Sequence, residues 1–431
     1  MVYQKEIPVR HRVDVFVAGG GAAGVAAAVA AARGGARVFL AEKMGCFGGL
    51  GTAGLVPAFA PFHDGVRTVA AGIGLEIRNA VAADVPVETY WTMIRAEELK
   101  LAYDRTVTAA GVEFSFFTDV VDVIAEEGKI QSVILHAKSG FFAVEAKVFI
   151  DCTGDADLIA MAGGAFEKGD EEGGVMPATL CSLWAGGEPE RRTMEDARMI
   201  EKAFADGVLS VEDRHLPGIF PHADGMCGGN IGHVFDLDPL DERSLTSGMV
   251  YARQSLVEYA EYYHRYIPGY ENIRLYTTAP LLGVRESRRA VCDYMLSVED
   301  FIRRAVFPDE IGRYCYPVDI HVKNTDKTEY ERFQKEYHDT LRYKDGESYG
   351  IPYRSLIPVS FQNMLIAGRC VGTDRKMQAS LRVMPGCFLT GQAAGAAAAL
   401  AAEKNVGVRD VPYACLKDAL LALGAYLPNA E

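Results

Sequence analysis

A chain of 431 residues is too long for one small core and suits two interleaved domains. Its composition, 49% apolar, 24% charged and 10% aromatic, is that of a globular protein, and no apolar run is long and uncharged enough to span a bilayer. Against 44 basic side chains stand 58 acidic ones; the net charge of −14 repels nucleic acid and anionic membrane, so neither is expected as a partner.

In chain order, Val13 to Ala18 is an apolar strand that ends at Gly19-Gly20-Gly21-Ala22-Ala23-Gly24. An Ala-rich helix follows to about Gly34, and Arg37 to Ala41 is a second strand closed by Glu42. This is G-x-G-x-x-G with a strand before it, a helix after it and an acid 18 residues beyond Gly24. Gly19 permits the tight turn, Gly21 (with Ala22 and Ala23 opening the helix) lets backbone approach a pyrophosphate, and Gly24 lets helix and strand pack closely. Glu42 is placed to accept hydrogen bonds from a ribose hydroxyl pair. The bland alternative, an ordinary glycine turn, does not account for strand, helix and acid together. The motif alone does not separate NAD from FAD.

The next ten residues, Lys43 to Thr52, hold four glycines, including Gly48 and Gly49, and suit backbone laid along an extended diphosphate. Cys46 within them is read as a small apolar filler rather than a covalent tether. Strand and turn then alternate from Ala110 to Leu135, with strands at Thr118–Val123 and Gln131–Leu135. A further strand from Ala146 runs into Asp151-Cys152-Thr153-Gly154-Asp155. A long helix is expected from Asp241 to about Tyr266, whose five tyrosines read as packing more than as a substrate cage. Arg285-Glu286-Ser287-Arg288-Arg289 follows. Near the end come a strand, Asn363 to Arg369, the segment Leu381-Arg382-Val383-Met384-Pro385-Gly386, and a helix from Gly391-Gln392-Ala393-Ala394-Gly395 onward.

Together these motifs, spread from Asp14 to Leu427, resemble the FAD-dependent oxidoreductase family of the glutathione-reductase-type flavin fold, in that family's order. Cys152 stands where the family more often has Ala. The resemblance implies an α/β protein: a Rossmann-like FAD-binding domain with an inserted α+β substrate (cap) domain. It implies FAD as cofactor, with Val120 touching adenine through its backbone and Thr153, Gly154 and Asp155 beside the phosphate and ribityl region. Gly368, Arg369 and Asp374 would border the ribityl chain, and Arg382 and Val383 the isoalloxazine ring. An arginine there has a physical purpose, since reduced flavin carries negative charge near N1 and the C2 carbonyl; the alternative for Arg382 is a surface salt bridge.

Motifs at both ends make the FAD domain discontinuous: residues 1–57, 97–165 and 355–405. Residues 58–96 and 166–354 form the cap, and 406–431 a C-terminal helical segment. For the chemistry, Arg285 and Glu286 begin a dense charge cluster that suits an oxygen-rich substrate or, equally, an ion-pair brace between domains. His321 is either a base or an exposed histidine, and Tyr353 and Arg354 line a pocket or pack. Gly228 to His233 is a glycine-rich candidate pocket loop. No metal is expected, because His215, His222, Cys227 and His233 match no zinc spacing. No second GxGxxG follows another strand, which argues against an NAD(P)H domain, and the absence of any Cys-x-x-Cys argues against disulfide reduction. Nine scattered cysteines fit reduced thiols and a cytoplasmic location. The expected activity passes a hydride between a small polar metabolite and flavin N5, with an unidentified electron acceptor; flavin monooxygenation and a purely structural FAD are the alternatives. A homo-oligomer is compatible with the sequence.

Overall fold

The computed structural model describes residues 1, 4–188, 191, 197–215, 218–221 and 225–429. Its first unit is β1 (Val9–Ala18), α1 (Ala22–Arg33) and β2 (Val38–Ala41). The strands are parallel, with Val15 opposite Val38 and Ala18 opposite Ala41. Their residues from Val15 and from Val38 onward are buried, as an apolar run between covered faces requires. Helix α2 (Ala96–Ala109) leads to β3 (Glu113–Ser115), parallel to β2. Then β4 (Asp119–Glu126), β5 (Lys129–Ala137) and β6 (Gly140–Asp151) form an antiparallel meander, and β6 returns to pair in parallel with β1.

The second sheet, in the cap, is built from β7 (Ser182–Ala185), β8 (Ile219–Pro221), β9 (Met226–Gly229) and β10 (Arg274–Thr278), all antiparallel in the order β8-β9-β7-β10. Between β9 and β10 lies the long helix α3 (Glu242–Tyr266), capped by the Asp241 carboxylate on the Ser244 N–H, one residue from the expected start. Tyr259, Tyr262 and Tyr263 are buried in the cap's own core with Trp184 and Tyr270. The chain then returns to the first sheet through β11 (Met364–Ile366), parallel to the C-terminal end of β6. Helices α4 (Arg375–Leu381) and α5 (Met384–Lys404) follow. Helix α5 starts seven residues before Gly391, because Pro385 is tolerated in a first helical turn.

The buried core groups the chain differently from the expected division. One cluster joins the FAD-domain strands to residues from Ala290 to Ile357 and to Phe59, Phe62, Ile73 and Ile77. Among the described residues, separate cores lie between Ala178 and Val284. Residues assigned from motif order to a cap therefore share hydrophobic packing with the sheet.

Helices α1 and α5 pack backbone against backbone. A Cβ on Gly391 would stand 2.2 Å from the Ala23 carbonyl oxygen, and one on Gly395 2.1 Å from that of Ala27. Two helices approach this closely only where side chains are absent or are single methyl groups, which is why both read as Ala and Gly. No single helix among the described residues is long and apolar enough to cross a membrane.

Replacing both glycines, Gly391→Ala with Gly395→Ala, gains helix propensity but forces the pair apart; overpacking at each costs about 1–3 kcal/mol. The double variant is expected to unfold at lower temperature than the parent and to lose ligand from the cleft described next. Calorimetry checks this, and a stabilised variant would show the pair free to separate.

Candidate active site

The turn after β1 makes one end of a long cleft. Gly19 has φ +88°, and a Cβ there would meet the Cys152 carbonyl oxygen at 2.7 Å. At Gly24 a Cβ would meet the Gly19 carbonyl at 1.8 Å, so helix and turn are packed backbone on backbone. Gly21 differs: a Cβ there meets nothing within 4 Å, and it, Ala22 and Ala23 border the open cleft. The N-terminus of α1 has no side-chain cap, so its first N–H groups are left for an anion.

Glu42, 5% exposed, stands beside this turn. Its two carboxylate oxygens accept from the backbone N–H of Gly20 at 2.6 Å and of Met44 at 2.7 Å. Each oxygen keeps a further lone pair, as a ribose diol requires. Burial raises its carboxyl above the ordinary range, against the pull of those N–H groups. The cleft continues past Lys43, Gly48, Gly49, Val120, Thr153, Gly154, Asp155, Gly368 and Arg369 to Arg382, enclosing about 1180 Å³, part of it open to solvent. Arg369 ties its far wall together, donating to Gly154 O (2.8 Å), to Asp155 (2.6 Å) and to Val284 O. Asp151 at the end of β6 shapes the Thr153 loop, accepting from its N–H and hydroxyl; burial and nearby Asp157 push its carboxyl up to about 6. A glycine-floored trench with free N–H groups at one end, a carboxylate beside them and an arginine at the other end fits an extended dinucleotide.

Several expected cofactor residues take other places. The Thr52 hydroxyl donates to Phe47 O at 2.5 Å, and Cys46 faces Thr52. Asp374 caps α4 through the Met377 N–H and accepts from Val298 N. Val383 lies in a second pocket. Unexpected members of the cleft wall include Met44, Cys152, Leu282, Met384 and Cys387; being apolar and irregularly spaced, they left no signal in the sequence.

That second pocket, about 720 Å³ including its open part, shares Leu50, Val284, Arg382 and Met384 with the cleft. Arg285 and His321 line it, together with Asn230, Thr179, Trp91, Tyr316 and Asp319. Arg285 donates to Pro177 O, to the Thr179 hydroxyl and to the Asn230 amide oxygen. Burial and the neighbouring Arg382 push it down to about 10, so it is charged at neutral pH. Arg382 bonds Asp319, and its Nε is buried without a partner. Burial raises Asp319, but the His321 ring and Arg382 outweigh it and hold this carboxyl well below the ordinary range. Burial, Arg285 and His215 push His321 well below its ordinary value, so it is neutral.

The charge cluster around Arg285 divides between two sites. Arg285 faces the pocket, whereas Glu286, fully buried, accepts from Arg289 at 2.8 Å, Arg375 at 3.0 Å and the Met176 N–H. That is the brace. Tyr353 donates to Val408 O, and Arg354 pairs with Asp309 at the surface; neither lines the pocket. Ring nitrogens of His215 and His321 and a carboxylate oxygen of Asp319 lie within 4.8 Å of one another. The two rings stack in parallel, centroids 4.1 Å apart at 5°, so their in-plane lone pairs run side by side and do not converge on one ion. Cys227 is buried in the cap core, and His222 lies outside the described residues.

The fold and its cleft define a protein of the flavin-binding class. The chain belongs to the family of FAD dependent oxidoreductases, which it matches over residues 14–420, and is an enzyme with FAD as its cofactor. Among solved structures it is similar to a geranylgeranyl bacteriochlorophyll reductase-like protein of Thermoplasma acidophilum (13% identity, TM-score 0.47, covering 96% of this chain and 83% of that one). It is also similar to the flavin-dependent brominase Bmp2 (13%, 0.46, 95% and 83%) and to p-nitrophenol 4-monooxygenase of Pseudomonas putida (11%, 0.46, 96% and 85%). No curated protein matches the sequence.

Because burial raises Glu42, and only the ionised form accepts from a ribose diol without giving up its Gly20 and Met44 bonds, FAD affinity should fall on acidification at a pH above the ordinary carboxylate range. Glu42→Gln should bind FAD about 1.5–3 kcal/mol more weakly at neutral pH and lose that acid limb. Flavin fluorescence on dilution measures both; equal retention in the variant would place the acid away from the ribose.

Proposed function

We propose that this enzyme is a dehydrogenase or reductase of small carboxylate-bearing metabolites, passing a hydride between the substrate and FAD held in a glutathione-reductase-type arrangement. The observation that carries this reading is the pocket beside the cleft. It holds two guanidinium groups, Arg285 and Arg382, against one carboxylate, Asp319, and one neutral imidazole, His321. Its net charge is positive in a protein of net charge −14.

Bound FAD supplies the two-electron acceptor at N5. Arg285 uses three of its N–H bonds inside the protein, leaving donors of a planar fork for a substrate carboxylate. Arg382 borders cleft and pocket alike and links the two. Its unpartnered Nε is a donor for negative charge arising at their junction. His321 takes or returns the proton that accompanies the hydride. Trp91, Tyr316, Val56 and Met384 supply the apolar walls that keep water from the reacting carbon.

The test is an anaerobic screen of glycolate, lactate, malate and glycine for bleaching of the flavin. At least one such 2-hydroxy or 2-amino acid is expected to bleach it. Arg285→Met should keep its FAD but need about 10–100-fold more acid for half bleaching, the value of a charge-assisted bond. Consumption of NADPH and oxygen with no anaerobic bleaching would instead make the enzyme a monooxygenase.

A further inference from the structure

Behind the pocket, three buried side chains stand in series and end on the part-exposed Asp319. The Asp213 carboxylate meets His233 Nδ1 at 3.0 Å, His233 Nε2 meets His321 Nδ1 at 2.8 Å, and His321 Nε2 meets Asp319 at 3.4 Å. Asp213 is 2%, His233 3% and His321 5% exposed, so water does not complete these bonds. Asp213 also accepts from the His233 backbone N–H, which fixes the first ring in place.

Proton counting constrains this chain. A carboxylate has no proton to give, and a neutral imidazole has one N–H and one bare nitrogen. To place a proton in each of the two hydrogen bonds and in the 3.4 Å ion-pair contact, where a bare His321 Nε2 would turn its lone pair toward an ionised carboxylate, takes three ring protons, one more than two neutral rings carry. With both rings neutral, two lone pairs face each other somewhere along the series. Asp319 is held ionised, as described above, and Asp213 is too: burial raises it, but the His233 ring and the backbone N–H of His215 outweigh that. His321 is neutral. The only arrangement that satisfies all three bonds puts Nε2–H of His321 toward Asp319 and leaves its Nδ1 bare. His233 then carries protons on both nitrogens, its charge held against Asp213.

We propose that Asp213, His233 and His321 form a two-imidazole proton relay, in which His321 exchanges a proton with the substrate while the charge is held on His233. This rests on the dehydrogenase reading for its substrate, though not for its proton count. In reduction, starting from this charged form, the His321 Nε2–H bond breaks as its proton passes to the substrate oxygen, the proton on His233 Nε2 moves to His321 Nδ1, and reduced flavin supplies the hydride to the substrate carbon, leaving both rings neutral. Oxidation starts from that neutral form: a substrate O–H bond breaks, an N–H bond forms at His321 Nε2, the proton on His321 Nδ1 moves to His233 Nε2, and the substrate C–H pair leaves as hydride to the flavin. The relay removes a difficulty: burial and Arg285 oppose a cation on His321, so this ring alone is a weak base. One bond further from the pocket, the His233 ring faces the Asp213 carboxylate at 3.0 Å. The long 3.4 Å link to Asp319 leaves His321 Nε2 open to a second partner in the pocket.

The charged and titratable groups facing the relay are Asp213, Asp319, Arg285, Arg382, His215 and Tyr259. His215 stacks on His321 and is pushed down to about 4 by burial and His233, so it is neutral and does not compete for the proton. Asp213 and His233 are positioning residues, since neither lines the pocket.

The experiment is nitrogen-15 histidine NMR of the full holoprotein, with His233→Gln to assign the signal and His264→Gln as control. One ring carrying N–H signals on both nitrogens is expected at neutral pH. It should be absent from His233→Gln and retained in His264→Gln. Asp213→Asn should lose this signature. With the screened acid that bleaches the wild type fastest, it should also slow bleaching about 10²-fold at unchanged FAD content and unchanged half-saturating concentration. A wild-type His233 with one ring proton at neutral pH overturns the relay whatever the metabolite screen gives, and so does unaltered bleaching in a folded Asp213→Asn. If no screened acid bleaches the wild type, the dehydrogenase reading fails while the wild-type spectrum alone still decides the proton count.

Discussion

The close contact of α1 with α5 is the constraint on which the cleft depends. With Gly391 over Ala23 and Gly395 over Ala27, two helices far apart in sequence act as one layer on the sheet. The N-terminus of α1 then opens at the phosphate end of the cleft, and Met384 and Cys387 at the start of α5 line its wall. A layer of larger side chains would fill the same space with apolar volume and move both ends. Small residues let two helix ends border one narrow trench.

Pocket and cleft are joined by residues that belong to both. Arg382 follows α4 and precedes α5, so its position is set by the same helix layer, while its partner Asp319 comes from the chain between the cap core and α4. Val284 likewise borders both spaces and accepts from Arg369 through its carbonyl. Cofactor and substrate sites are therefore built from one continuous set of packed backbone segments, and a shift in either is felt in the other.

What could be read from the sequence was what local geometry demands. Gly19, Gly21, Gly24 and Glu42 sit in one short stretch because a turn, a helix start and a strand end are local events, and strand, helix and acid appeared within a residue or two of expectation, although β1 begins four residues earlier. The pocket was only half legible. Arg285 stood out as charge beside an apolar run, yet its neighbour Glu286 faces the opposite way into a brace, and nothing in a five-residue cluster tells the two apart. Asp319 was passed over beside His321, though the two together are a carboxylate and an imidazole two residues apart. The partnership of Asp213, His233 and His321 arises from three distant segments meeting in the cap and was not accessible to motif reading. Tyr353 and Arg354 were drawn in by position alone, and position does not say which way a side chain points.

The buried cluster of Glu286, Arg289 and Arg375 has a mechanical consequence. It fastens the strand Arg288–Ala290, which pairs with Phe166–Lys168, to the first turn of α4. Pulling these apart would part a buried carboxylate from the two guanidinium groups whose hydrogen bonds hold it. A clamshell swing of the cap about this junction is thus opposed by electrostatics as well as by packing. The rim of the pocket is held differently, by ring contacts: Trp91, 37% exposed, stands edge-on to Phe220 and to Tyr316. The molecule is latched by charge at this junction and closed by aromatic rings at the pocket's mouth.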